Sequence, residues 1–323
     1  MNVRHLINSK PLAICCLVFL MLVLTACGGG GSGGSSGEGA SASPPDTDPC
    51  DATSVPEYGV CRPVAVRVDA RAPTPYTEDG RPVSLEVVIF KPPGEGRYPT
   101  VVFHHGSTGN GSDPSLFGQT FISATLIRYF VERGWLVAFP QRRGRGRSGG
   151  LYDEGFRPER DGYSCRVGPA LDGARRALDD LNAATDWLLG RVDVDTTRML
   201  VGGVSRGGLL ALAHAAARPE VYRGAINFVG GWLAEGCGDH RAVNRELFLA
   251  GAAFPAPTLW LYGVRDSFYS LPYSLAHHEA YTAAGGQGEF RVFERGGGLN
   301  GHFVVNDPWL WGRTVDDYLE LIL

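Results

Sequence analysis

From about residue 64 onward, short apolar runs alternate with stretches of helical period, and two strand-like runs stand ahead of the alternation. That order predicts an α/β domain built on a mostly parallel, eight-stranded sheet with helices on both faces. The stretch from about residue 50 to residue 323 is long enough for one large domain of this kind. Functional groups of such sheets gather at the carboxyl ends of the strands, and several chemically suggestive residues stand just past predicted strands.

Strands are predicted at Val64–Val68, Leu85–Phe90, Thr100–His105, Leu136–Phe139, Met199–Val204, Ala225–Val229, Thr258–Tyr262 and Phe290–Phe293. Helices are predicted at Leu116–Arg133, Ala170–Leu189, Gly207–Arg218, Leu275–Ala284 and Trp309–Ile322. In the second helix Ala174, Leu178, Leu181, Ala184 and Leu188 recur at three- and four-residue steps, an apolar stripe that should face the sheet. Arg218-Pro219 ends the third, because proline cannot continue a helix. Two insertions, from about Leu151 to Pro169 and from Gly230 to Ala256, follow strand ends and should overhang the same rim.

The pattern Gly-x-Ser-x-Gly occurs around Ser32, Ser35, Ser148 and Ser205. With 45 glycines in the chain, the pattern alone discriminates little, so context decides. Ser32 and Ser35 lie in a Gly/Ser stretch. Ser148 follows an Arg/Gly-rich segment and no amphipathic helix opens behind it. Ser205 has an apolar strand before it and an Ala/Leu-rich helix after it, the strand–turn–helix setting of a nucleophile elbow.

Asp266 follows the seventh predicted strand and His302 the eighth, so the chain order past the strands is Ser205, Asp266, His302. This order on this strand pattern resembles the α/β-hydrolase superfamily, and the resemblance covers nearly all of residues 64–323. It implies an α/β-hydrolase fold and a catalytic triad. A serine hydroxyl is a weak nucleophile while protonated and needs a base. His302 would take the proton and return it to the leaving group. Asp266 would hold the imidazole tautomer and stabilise the imidazolium. His214, His240 and the His277-His278 pair are the competing bases, and Asp239 is the rival acid.

The resemblance also implies two backbone donors for the oxyanion, the N–H of Arg206 and an N–H from the loop His104–Gly111, taken as that of Ser107. His105 is expected to support that loop rather than to react. After the fourth strand, the run Gln141 to Gly149 resembles the corresponding loop of dienelactone-hydrolase-like and prolyl-oligopeptidase-like enzymes, with Gln141 where those carry Asp. Its four arginines either bind a substrate carboxylate or, as expected here, brace the rim and its backbone carbonyls.

The N-terminus reads differently. Arg4 and Lys10 precede an apolar run from Leu12 to Ala26, short for a membrane span and suited to a secretory signal over residues 1–26. Leu24-Thr25-Ala26-Cys27 resembles the lipobox of bacterial lipoproteins, which implies cleavage before Cys27 and lipid on its sulfur; an uncleaved anchor helix is the alternative. Residues 27–49, rich in Gly and Ser and then in Pro and Asp, would form a flexible leash. The protein is thus expected in a bacterial cell envelope, tethered to a membrane and more specifically to the outer one.

The net charge of −4 and the dispersed arginines exclude a nucleic-acid footprint. Beyond Cys15, Cys16 and Cys27, four cysteines remain, and four allow three pairings. Cys50–Cys61 and Cys165–Cys237 are the favoured pairs, the second because it would join the two rim insertions. No C-x-x-C or H-x-x-x-H spacing occurs, so neither a metal nor a cofactor is expected. The expected function is hydrolysis of carboxylic esters of small to medium substrates. Peptidase or amidase activity is the alternative, and a silent binding lipoprotein the third.

Overall fold

Eight strands make the central sheet of the computed structural model, which describes residues 53–57 and 60–323. The predicted signal, Cys27, the leash and Cys50 lie outside the described residues, and with them the pairing of Cys50 with Cys61. Before the sheet, β1 (Ser54–Glu57) and β2 (Val60–Pro63) form a short antiparallel pair.

The sheet strands are β3 (Val66–Glu78), β4 (Arg81–Lys91), β5 (Tyr98–His104), β6 (Leu136–Pro140), β7 (Val194–Val204), β8 (Tyr222–Phe228), β9 (Thr258–Gly263) and β10 (Gly288–Phe293). Their spatial order is β10-β9-β8-β7-β5-β6-β4-β3. β4 runs antiparallel to both of its neighbours and every other pairing is parallel. The central strands are continuous apolar runs, such as Val87–Phe90 and Leu259–Tyr262, with every residue almost wholly buried. That is what burial by helices on both faces demands. Helices α1 (Ala124–Val131) and α6 (Pro308–Ile322) pack together, while α2 (Val167–Leu189), α3 (Arg206–Ala217), α4 (His240–Gly251) and α5 (Leu271–Ala283) make a second connected layer.

All eight predicted strands are present, but three expectations need correction. β3 extends ten residues beyond Val68, to Glu78. It is an edge strand with mostly exposed side chains, so its polar residues hid it, and an edge tolerates Pro73 and Pro75. The helix expected over Leu116–Arg133 shrinks to α1, preceded by a one-turn 3-10 helix at Pro114–Leu116. Gln141 is the physical reason. Its side chain accepts from Phe121 N–H at 2.8 Å and donates to Phe121 C=O at 2.9 Å, holding that backbone out of the helix until Ser123 caps α1. Finally, α4 stands inside the insertion Gly230–Ala256, where no helix was predicted, and buries Val243, Leu247 and Phe248 at helical spacing.

A disulfide joins Cys165 and Cys237, 72 residues apart, so the two rim insertions are covalently tied.

Candidate active site

β5 and β7 lie side by side, with His104 opposite Gly203, so the loops leaving their carboxyl ends are neighbours. Ser205 leaves β7 in a left-handed conformation, φ 56° and ψ −123°, and Arg206 opens α3 directly behind it. The turn is tight enough that a Cβ on Gly203 would overlap the Gly207 carbonyl, and one on Gly207 the His104 carbonyl. The glycines of the motif are there for close approach. Gly106, in the loop after β5, sits against the serine: a Cβ there would lie 3.2 Å from Ser205 Cβ.

Backbone strain clusters along this edge. Ser205, Val229 and Arg265 all have positive φ, and they stand just past the ends of β7, β8 and β9. Such residues persist only where surrounding structure holds them, as it does around working sites.

Asp266 and His302 meet on the same edge. His302 Nδ1 lies 2.9 Å from Asp266 Oδ2, with the carboxylate wholly buried and the imidazole nearly so. The other carboxylate oxygen accepts the N–H groups of Phe268, at 2.7 Å, and Tyr269, at 3.0 Å. A buried carboxylate is tolerable when its lone pairs are filled in this way. The acid and base loops are stitched together by Asn300. Its Oδ1 accepts from His302 N–H at 3.0 Å and Ser267 N–H at 3.2 Å, while its Nδ2 donates to Ser267 Oγ at 2.8 Å. Arg295 adds an ion pair to Asp307 across the base loop and donates to Asn300 C=O at 2.9 Å.

Tyr269 meets both Asp266 and His302. Its N–H serves Asp266, and its ring centroid is 5.7 Å from that of His302. Its buried phenol donates to Gly231 C=O at 2.7 Å. Burial pushes the phenol pKa up, so it stays protonated. Phe268 covers the other side of the imidazole, at 4.5 Å between centroids, and is partly open to solvent.

The competing residues are engaged elsewhere. His214 pairs with His104 in the core, 3.0 Å apart. His240 stacks on Tyr273, His277 packs on Phe248, and His278 meets Gly288 C=O at 2.9 Å. Asp239 accepts the N–H of Val167 at the start of α2, beside the disulfide. Ser148 donates to Gln141 C=O at 2.6 Å and accepts from Glu86 N–H at 2.8 Å, so it ties loop to sheet.

Of the four arginines after β6, Arg143 pairs with Glu78 and Asp180 and Arg147 with Asp69 and Glu86, while the other two grip backbone. Arg142 donates to the carbonyls of His105 and Gly106, at 2.9 and 3.2 Å, and Arg145 to that of Leu116. Glu154, buried in the first insertion, pairs with Arg142 at 2.5 Å and with Arg206 at 3.2 Å. Arg206 itself is clamped between Tyr163 and Trp232, at 3.6 and 4.4 Å from their ring centroids. Sequence reasoning missed Glu154, Tyr269 and Asn300, each of which also has a partner far along the chain: Arg206, Gly231 and Ser267 respectively.

Comparison with known proteins fits this geometry. Residues 169–235 match the prolyl oligopeptidase family. A stretch of 157 residues, 48% of this chain, is 29% identical to prolyl oligopeptidase ophP of Omphalotus olearius; the match spans 18% of that protein. Among solved structures, the esterase Pf2001 of Pyrococcus furiosus aligns over 79% of this chain and 90% of its own, with TM-score 0.55 and 18% identity. Est1E of Butyrivibrio proteoclasticus, solved with ferulic acid bound, aligns over 76% and 96%, with TM-score 0.53 and 14% identity. The acylaminoacyl peptidase of Pyrococcus horikoshii aligns over 80% of this chain and 41% of its own, with TM-score 0.54 and 16% identity. The chain has the α/β-hydrolase fold. Its nucleophile-elbow turn and its Asp–His pair stand on the edge where that fold places chemistry.

Proposed function

We propose that this protein is a serine hydrolase that cleaves carboxylic esters through an acyl-enzyme on Ser205. The reading is supported by the placement of the Ser205 turn and the bonded Asp266–His302 pair past the carboxyl ends of parallel strands of one sheet. Ser205 Oγ attacks the acyl carbon while His302 Nε2 takes its proton, and Asp266 holds the Nδ1–H toward itself. The N–H groups of Ser107 and Arg206 receive the oxyanion; as a first-turn amide, Arg206 N–H has no acceptor within its own helix. His302 then protonates the leaving alcohol, and water repeats the cycle to release the acid.

Ester hydrolysis is supported by the likeness of the fold to the esterases Pf2001 and Est1E. A peptidase reading is favoured instead by the prolyl oligopeptidase match over the nucleophile segment. A fluorophosphonate probe tests the serine-hydrolase reading. Wild type is expected to label, Ser205→Ala to abolish labelling, and His302→Ala to keep no more than a few per cent of turnover. An unlabelled wild type, or a labelled Ser205→Ala protein, overturns the proposal. Relative rates on p-nitrophenyl esters and aminoacyl anilides then separate the two reaction classes.

The lipobox-like run supports a second part of the proposal, a lipid tether at Cys27 in a bacterial envelope. Loss of fatty-acid labelling and of membrane fractionation in Cys27→Ser is the expected outcome. Among the described residues no helix is long and apolar enough to cross a membrane.

A further inference from the structure

We propose that Glu154 is a positioning residue: through Arg142 it fixes the peptide plane that presents the Ser107 N–H, and so sets the turnover of the Ser205 site. The proposal rests on the hydrolase reading above and assigns a role to a residue outside the triad.

A peptide group is planar and trans, so its C=O and the next N–H point in opposite directions. Whatever holds the Gly106 carbonyl therefore aims the Ser107 N–H. Two donors hold it. Arg142 Nη2 reaches Gly106 O at 3.2 Å, and His105 Nδ1 reaches it at 2.8 Å. The same arginine binds His105 O through Nη1 at 2.9 Å, and its own N–H meets His105 Nε2 at 3.3 Å. That set requires a neutral imidazole with its proton on Nδ1. Burial and the nearby Arg142 charge push the His105 pKa well down, consistent with neutrality.

Arg142 is almost wholly buried, and a guanidinium in such a place needs a counter-charge to stay in one orientation. Glu154 supplies it, 2.5 Å from Arg142 Nε. Its second oxygen meets Arg206, the residue that carries the other candidate oxyanion donor. One carboxylate from the rim insertion thus touches both Arg142 and the side chain of Arg206. Burial alone would raise the Glu154 pKa, but the Arg142 and Arg206 charges outweigh it and hold the group below the ordinary carboxylate value.

The same insertion grips the loop a second time. Tyr163 OH accepts from Thr108 N–H at 3.1 Å and bonds Thr108 Oγ1 at 2.7 Å. This second grip lets the effect of the charge be isolated from loss of the insertion as a whole.

The test is Glu154→Gln, which keeps shape and removes charge, with Glu154→Asp as the conservative partner. Three quantities are read: hydrogen–deuterium exchange of peptides covering residues 104–111, turnover of p-nitrophenyl acetate per site titrated with fluorophosphonate, and KM. Expected are faster exchange confined to that loop, turnover per titrated site down by about tenfold or more, a nearly unchanged KM, and partial recovery in Glu154→Asp. A smaller titratable fraction with unaltered turnover per site would make Glu154 a folding residue only and overturn the proposal; so would unchanged loop exchange. If Glu154→Gln fails to fold, Arg142→Lys, which keeps charge but loses the fork, is expected to give the same signature, and wild-type turnover there overturns it. If the wild type itself neither labels nor turns over, the hydrolase reading fails and so does the turnover claim, while loop exchange still reports whether Glu154 orders the loop.

Discussion

At Ser205 the backbone sits at φ 56° and ψ −123°, where any Cβ is crowded, and no hydrogen bond from the serine side chain caps the helix it opens. A strained conformation of this sort costs about 1–3 kcal/mol. Glycine would relieve it, at an unfolded-state entropy penalty of about 0.4–1 kcal/mol relative to alanine. Ser205→Gly is therefore expected to be more stable than Ser205→Ala by about 1 kcal/mol, the reverse of the usual order. Urea unfolding of the two inactive proteins measures this, and an alanine variant of equal or greater stability would refute the strain argument. The serine was legible because strain and glycine close approach leave a local mark, Gly-x-Ser-x-Gly between strand and helix. Asp266 and His302 were legible through their places after strand ends. Glu154, Tyr269 and Asn300 were not, since each is also fixed by partners distant in sequence, Arg206, Gly231 and Ser267, that only the fold brings near.

The elements show the same division. Fully buried strands announced themselves as apolar runs, whereas β3 did not, because an edge strand needs no such run. The early part of the expected helix near Leu116 was overruled by one distant side chain, Gln141. α4 lay in a stretch read only as an insertion, although Val243, Leu247 and Phe248 stand at helical spacing. Two elements are held by the Cys165–Cys237 bridge: α2, which starts two residues after Cys165, and α4, which starts three after Cys237. Closing a loop of 72 residues restricts the unfolded chain, and bridges of this kind typically contribute about 2–4 kcal/mol. The double variant Cys165→Ser/Cys237→Ser is expected to lose stability in that range by chemical denaturation. A loss below about 0.5 kcal/mol would show that the rim holds itself without the bond.

Across the whole molecule, three histidines, His104, His105 and His214, are wholly buried. His104 ends β5, His214 lies in α3, and the two bond to each other where helix meets sheet. Burial lowers the pKa of His104, His105 and His214, the last to about 3 against an ordinary value near 6.5. The unfolded chain then binds protons that the fold refuses, so their contribution is complete above pH 6.5 and is lost as pH falls toward about 3. Asp180 acts oppositely: burial raises it to about 6, so its protonation favours the fold below that pH. Burial also lowers His240, His278 and, to about 4, His277, so six histidines oppose Asp180 and the melting temperature should decline steadily on acidification below pH 6.5. His214→Gln, if it folds, should flatten the decline; a wild-type curve flat down to pH 4 would contradict this account. The bridge between Cys165 and Cys237 also has a topological meaning. It makes a covalent ring containing α2, β7, α3 and β8, hence Ser205, while Asp266 and His302 hang from the tail outside it. A single protease nick inside the ring releases no fragment, and the nicked chain keeps its full mass on a gel until thiol is added.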